Sequence, residues 1–384
     1  MVDIPTLNVV SKGNSLRCGE IIGESLADRI GHAERLLAEY EAFRRLQPWW
    51  MPYSVYVYLA QRRASGVLAP PVRHRLPEAY QRLDGMARGA RCRRDALYLF
   101  HALEMASTQM SEQTEMPLAA CTAVAIGQKR SASGHPMLHH NFDQIPLTRP
   151  TFAIRKRHET GRYASLEFGL APLCGTIDGI NEHGLAITYN YAWTTKPGPP
   201  GPSASMAISE ALSCCRNVEE AIQLIIRGGC CGGSMLMLAD AQGNIARLEL
   251  AGSKHRIVRD GRRDTLFHSN AYRTWRMKRR QVSRRARYTD WAPQALQGKR
   301  VLDSPRKRDA RLRKLLRKRD QLSPDDLSTL MRDHGPHGHG SEDTICMHGD
   351  YWQTLATVQL LPAERTLRIK YQCACEGEFV DFAL

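Results

Sequence analysis

At 384 residues the chain is long enough for one large domain or two ordinary ones, with ample core either way. Hydrophobic residues at 42% and charged residues at 24% are the proportions of a soluble globular protein, and no apolar run approaches the roughly 18 residues that cross a bilayer. The net charge of +15 raises the question of an anionic partner.

Residues 1–20, MVDIPTLNVVSKGNSLRCGE, lack a basic stretch followed by an apolar one. No secretory signal is expected there, and the protein is placed in the cytosol. The spacing of Ile21, Ile22, Leu26, Ile30, Ala33, Leu36 and Leu37 predicts helix over residues 18–46. Pro70-Pro71 is expected to break the chain, and residues 76–110 read as two further helices. Nothing before Cys121 resembles a catalytic cluster, so residues 1–120 read as a mainly helical scaffold, or as a pro-segment that remains bound.

From residue 121 the composition turns toward strands. CTAVAIGQKR, the turn SASG and HPMLHHNFD form a β-hairpin pattern. Thr122, Val124 and Ile126 share one face, and Ala123, Ala125 and Gly127 the other; Gly134 supplies the turn's permissive backbone. Strands are predicted over residues 151–157 and 163–170. In GTIDGINEHGLAITYNYAW a turn at residues 181–184 leads into a strand ending at Tyr189-Asn190-Tyr191. Residues 205–227 read as helix interrupted near Asn217, where NVEE resembles a helix start. The glycine- and cysteine-rich turn at residues 228–233 is not followed by GK[ST], which disfavours a phosphate cradle. SMLMLADAQGNIARLELAG is a second hairpin, and FHSN follows a polar turn before a basic helical region. The tail carries two strand-like stretches, DTICMHGDYWQTLATVQLLP and TLRIKYQCAC. Helices, then many strands, then helices between strands suggest an α+β layered domain.

Much of the positive charge sits in residues 273–287 and 299–319. Such runs can bind nucleic acid or anionic surfaces. In the second, Leu312, Leu315, Leu316 and Leu322 suggest an amphipathic helix, and no aromatic residue interleaves as a base-stacking platform requires. The first holds Trp275, flanked by Tyr272 and Tyr288, and is the better nucleic-acid candidate. Solvated helix faces are the preferred reading of both, so neither nucleic acid nor membrane is expected as a partner.

The eleven cysteines are odd in number and poorly spaced for a disulfide framework, and none follows a paired CxxC zinc pattern. Reduced thiols are expected. His334, His337, His339 and Cys346 are read as part of a Gly/His-rich loop rather than a metal site, because their spacing matches no common zinc-ligand pattern. No cofactor is called for.

Cys121 heads the first hairpin behind Ala119 and Ala120. Taken alone, such a cysteine is most simply a buried thiol. A second use follows if the Ala120–Cys121 bond is cut, because the residue then carries both a thiol and an α-amine. That amine titrates near pH ~7.7–8 and can take the thiol's proton as a general base.

Cys121-Thr122, His140-Asn141-Phe142-Asp143, Asn190 after GLAITY and Asn270 after FHS together resemble the N-terminal nucleophile hydrolases. The branch is that of the acyl-coenzyme A:6-aminopenicillanic acid acyltransferases and the bile-salt and penicillin V amidases. RCGEIIGE, SPRKRDARLRKLL and TICMHG extend the likeness over nearly the whole chain. The resemblance implies an αββα sandwich, two antiparallel sheets between helix layers, and scission into chains 1–120 and 121–384 that stay associated. In that scission the Cys121 thiol attacks the Ala120 carbonyl, giving a thioester that water hydrolyses.

Residue by residue, the resemblance makes Cys121 nucleophile and base and sets Asp143 beside its amine and thiol. Asn190 would donate to the oxyanion, and Asn270 would hold the amine or substrate. Thr122, His140 and Arg308 are placed about the substrate, with Arg306 and Arg311 as alternatives to Arg308. His140 stands where the family carries arginine, so a guanidinium has become an imidazole. Met347 replaces a further arginine of the acyltransferases, so their substrate choice is not carried over. The implied activity is that of an autoprocessing cysteine amidase or acyltransferase acting on a linear amide or an acyl thioester, coenzyme A thioesters included. The rivals are an uncut hydrolase pairing Cys121 with His139 or His140, and a basic protein that binds nucleic acid or an anionic surface through residues 273–319.

Overall fold

The structure is a computed structural model and describes residues 5–111, 114, 115, 117, 119–259 and 263–384. Residues 1–4, at the head of the stretch searched for an export signal, lie outside that set, as do residues 260–262 in the polar turn before Phe267.

The chain opens with a strand, β1 (Leu7–Gly13), before the helices α1 (Ser15–Ser25), α2 (Ala27–Leu36), α3 (Glu41–Arg45), α4 (Tyr53–Arg75), α5 (Pro77–Gly89) and α6 (Arg94–Ala106). A short ladder of β2 (Met110–Ser111) and β3 (Thr114–Glu115) leads into the central hairpin, β4 (Ala119–Ile126) and β5 (Met137–Gln144). Then come β6 (Phe152–Glu159), β7 (Ser165–Leu170), β8 (Asp178–Asn181), β9 (Ala186–Tyr191) and the helices α7 (Ala204–Cys214) and α8 (Val218–Gly228). Strands β10 (Gly233–Ala239), β11 (Ile245–Ala251), β12 (Lys254–Val258) and β13 (Thr265–His268) precede α9 (Trp275–Lys278), α10 (Asp303–Leu316) and α11 (Pro324–Met331). The tail forms β14 (Gln353–Leu361), β15 (Thr366–Lys370) and β16 (Val380–Ala383).

Two sheets result, ordered β1-β6-β7-β8-β9-β10-β11-β12 and β13-β4-β5-β14-β15-β16. Within them every pairing is antiparallel except β1 with β6, which is parallel. The sheets pack face to face where β4 and β5 meet β9 and β10. Helices α1, α7 and α8 lie on the outer face of the larger sheet, and α10 and α11 on that of the smaller. The order is helix, sheet, sheet, helix.

Period-two alternation decides which β4 side chains enter which layer. Cys121, Ala123 and Ala125 join the core between the sheets. Val124 and Ile126 pack instead with Leu312 and Leu316 of α10 and with Leu327 and Met331 of α11. On the other side of the molecule, α1 and α5 approach so closely that a Cβ on Gly19 would collide with the Arg82 carbonyl, and one on Gly85 with the Leu16 carbonyl. Only glycine permits that backbone contact. The RCGEIIGE pattern thus serves helix packing.

Three expectations need correction. Strand β1 was not legible in a segment read as mainly helical; it exists because β6 gives it a partner. Pro70-Pro71 lies inside α4 rather than breaking it. The carbonyls that lose a helical donor there belong to Gly66 and Val67; Val67 is exposed and Gly66 faces open space, so water can take their place. Residues 273–287 are helical only in α9, because Val282 and Ala286 are too few to bury a stripe. The second basic run does form α10, although Leu322 lies beyond its end.

Candidate active site

In the β4–β5 ladder Cys121 stands opposite Phe142 and Ala120 opposite Asp143. Cys121 faces the gap between the sheets. There, with Phe142, Tyr189, Leu36 of α2 and Leu103 of α6, it lines an apolar cavity of about 120 Å³. Ala120 turns the other way, into a polar cavity of about 300 Å³ bordered by Lys299, Arg300, Lys307 and Arg308. Tyr191 borders both. The Ala120–Cys121 peptide is therefore part of the partition between an oily chamber and a cationic one.

Arg308 organises the polar side. Its Nη1 donates to the Cys121 carbonyl at 2.6 Å and to Thr122 Oγ1 at 2.7 Å, and its Nη2 donates to Asn270 Oδ1 at 3.0 Å. Its Nε donates to Ser304 Oγ at 3.2 Å. The alternatives drop away, since Arg306 is exposed and Arg311 pairs with Asp333. Asn270, just after β13, accepts from the Cys121 backbone N–H at 2.8 Å and donates to the Tyr191 carbonyl at 3.0 Å.

Asp143 lies 3.6 Å from Arg308 Nη1 and accepts from Thr354 Oγ1 at 2.6 Å. Burial pushes its carboxyl up to about 7, although Arg308, Thr354 and His140 pull the other way. The Cys121 thiol is driven well above its ordinary range by burial and then by the Asp143 charge. Uncut, the site holds a protonated thiol close to a carboxyl poised to titrate.

Asn190, on β9 beside Met235, donates to the Ser269 carbonyl at 3.4 Å, and its Oδ1 is buried without a partner. His140 Nδ1 is 2.8 Å from both carboxylate oxygens of Asp178. His139 Nδ1 meets Gln359 at 3.2 Å. Neither imidazole makes a hydrogen bond to Cys121, so a thiol–imidazole pair has no geometric support. The cation against Cys121 is Arg308, and His140 sits two register pairs along, opposite Ala123.

Asp178, Thr354, Ser304 and Tyr191 were not singled out by sequence. Asp178 had a signal, the one charged residue inside GTIDGIN. Thr354 had none, because it reaches Asp143 only through the pairing of β14 with β5.

The model of the acyl-coenzyme A:6-aminopenicillanic acid acyl-transferase family matches residues 130–372. The chain belongs to that family. It is thus an N-terminal-nucleophile-type enzyme acting on amide or acyl bonds, and the match begins just past Cys121. No curated protein matches the chain. Among solved structures, the Caenorhabditis elegans N-acylethanolamine-hydrolyzing acid amidase ortholog is 13% identical, with 63% of this chain and 93% of that one covered at a TM-score of 0.43. A mutant form of the conjugated bile acid hydrolase from Clostridium perfringens is 12% identical, with 68% and 97% covered at a TM-score of 0.37. Penicillin V acylase from Agrobacterium tumefaciens is 14% identical, with 70% and 79% covered at a TM-score of 0.38. Likenesses this loose carry no chemistry across.

Proposed function

We propose that this enzyme cuts its own Ala120–Cys121 bond and then uses Cys121 as an N-terminal nucleophile on an amide or acyl thioester. The observation that supports this most is the hydrogen bond from the Cys121 backbone nitrogen to Asn270 Oδ1 at 2.8 Å. A backbone N–H on a strand ordinarily serves the ladder; this one is held by a side chain that Arg308 in turn orients. After scission the same nitrogen is an amine, already placed to accept the thiol's proton.

In the first step the Cys121 sulfur adds to the Ala120 carbonyl carbon, the C–N bond breaks, and the nitrogen leaves as the amine. Water then hydrolyses the Ala120 thioester and frees the thiol. In turnover the thiolate attacks the substrate carbonyl while Asn190 and backbone donors stabilise the oxyanion, and the protonated amine passes its proton to the leaving group. Asp143 holds the charged amine. Water or an amine then resolves the acyl-enzyme.

The two cavities suggest a substrate class. An apolar acyl group suits the chamber lined by Leu36, Leu103 and Phe142, and an anionic leaving group or acceptor suits the one rimmed by Lys299, Arg300 and Lys307. Coenzyme A phosphates meet that description, as does a carboxylate-bearing amine. The two chains would stay together through β1–β6 pairing and through the buried Arg82–Glu159 ion pair at 3.1 Å. Eleven free thiols suit a reducing, cytosolic compartment.

N-terminal sequencing of the purified protein tests the proposal. A new terminus reading CTAVAIG is expected, absent in Cys121→Ala. A single uncut chain with full acyl-transfer or amidase activity would overturn it.

A further inference from the structure

Away from the active site, at the tail end of the smaller sheet, four side chains converge. His334 and Cys346 come from the loop after α11, His348 from the turn before β14, and Cys375 from the turn after β15. Their ligand atoms all lie within 4.8 Å of one another. Both Cys346 Sγ and Cys375 Sγ point at His348 Nε2, at 3.3 and 3.5 Å. The His334 ring packs edge-on to that of His348, centroids 4.9 Å apart, and its Nε2 is buried without a hydrogen-bond partner.

One ring nitrogen serves two thiols poorly, whereas an ion among the four would engage every one of them. A tetrahedral zinc with bonds of ~2.0–2.3 Å separates its ligand atoms by roughly 3.3–3.8 Å, the spacing already present between these sulfurs and His348. Two thiolates would neutralise the ion's charge, and two imidazoles complete a Cys₂His₂ set. His337 and His339, grouped with His334 and Cys346 on sequence, are exposed and stand outside the cluster. The CxC run supplies the ligand that sequence spacing could not assign. Lys370 Nζ holds its turn by donating to the Ala374 carbonyl at 2.7 Å.

We propose that His334, Cys346, His348 and Cys375 form a closed structural zinc site. It would brace the active site from outside. Ile345, before Cys346, accepts from Asn141 Nδ2 at 3.0 Å, and Met347, after it, donates to Thr354 Oγ1 at 2.8 Å, the hydroxyl that binds Asp143. Fixing Cys346 fixes both neighbours.

The test is zinc content by elemental mass spectrometry on the full chain, expressed with zinc and purified under a phosphine reductant. The Cys121→Ala form is measured beside the native one, so that the outcome is independent of self-cutting. About one zinc per chain is expected in both. Cys375→Ser and His334→Ala should weaken retention by more than the ~10–100-fold typical of losing a group that merely orients a ligand, while His337→Ala keeps the metal. Should a ligand variant misfold, cobalt loaded into the native chain decides: a thiolate-to-cobalt charge-transfer band with tetrahedral visible bands is expected. A zinc-free native chain without that band overturns the site, as does a disulfide from Cys346 to Cys373 or Cys375 in a zinc-free, unreduced peptide map.

Discussion

Arg308 Nη1 donates to the Cys121 carbonyl oxygen at 2.6 Å, from a helix whose neighbouring arginines face water or other acids. A planar fork with several fixed donors matches four acceptors here at once, which a lysine ammonium cannot do. Arg308→Ala should destabilise the uncut chain by ~3–5 kcal/mol, because it strands the Asp143 carboxyl without its cation. Arg308→Lys should recover part of that loss yet still slow self-cutting. Urea midpoints of both variants, made on a Cys121→Ala background, check the stability half. Equal midpoints for Arg308→Ala and its parent would refute it.

The Asp143 carboxyl carries a pH prediction. Folded, burial raises it to about 7; unfolded, an aspartate loses its proton near ~3.9. Its contribution to stability is thus full below pH ~3.9 and fades as pH rises through 7. We propose that the carboxylate formed as pH passes about 7, whose charge already bears on the Cys121 thiol, draws the thiol's proton before any free amine exists. Self-cutting should accelerate as pH climbs through about 7, and Asp143→Asn should both slow and flatten the profile. Time courses of the CTAVAIG terminus at several pH values read this directly; an unchanged profile in Asp143→Asn removes the carboxyl from that role.

In the proposed mechanism Asn190 donates to the oxyanion. Loss of one such donor typically costs ~10²–10³ in rate, so Asn190→Ala should lower kcat by that factor and leave KM nearly unchanged. If KM rises while kcat holds, the side chain binds substrate instead.

The same substitution should have opposite signs at two helical glycines. Gly66 in α4 faces open space, so Gly66→Ala should stabilise by ~0.5–1 kcal/mol through lower chain entropy. Gly85 in α5 presses on the Leu16 carbonyl, so Gly85→Ala should destabilise by ~1–3 kcal/mol, as overpacking does. Thermal or urea unfolding of the two variants makes the comparison, and a common sign would contradict the packing described for α1 and α5.

The central hairpin could be read in advance because each cue acted locally: alternating small and β-branched residues, a glycine turn, and two strands contiguous in sequence. The Asn217 helix start was equally local, its side chain accepting from the Glu220 N–H. What failed depended on partners distant in sequence. Strand β1 is short and becomes a strand only beside β6. Pro70-Pro71 stays helical only because its neighbours face water. Arg308 was one of several arginines until α10 showed which face looks toward β4. Thr354 was invisible for the same reason, since it matters only through the residue it touches, and Asp178 left only the cue of a charge in its segment.

Both Leu36 and Leu103 belong to the segment ahead of the scissile bond, yet they wall the chamber into which Cys121 points. Were that bond cut as proposed, the walls of the acyl chamber would be shared between two polypeptides while the nucleophile stayed on one. Pairing one natural amino-terminal fragment with another's carboxy-terminal fragment would then alter selectivity without touching the nucleophile.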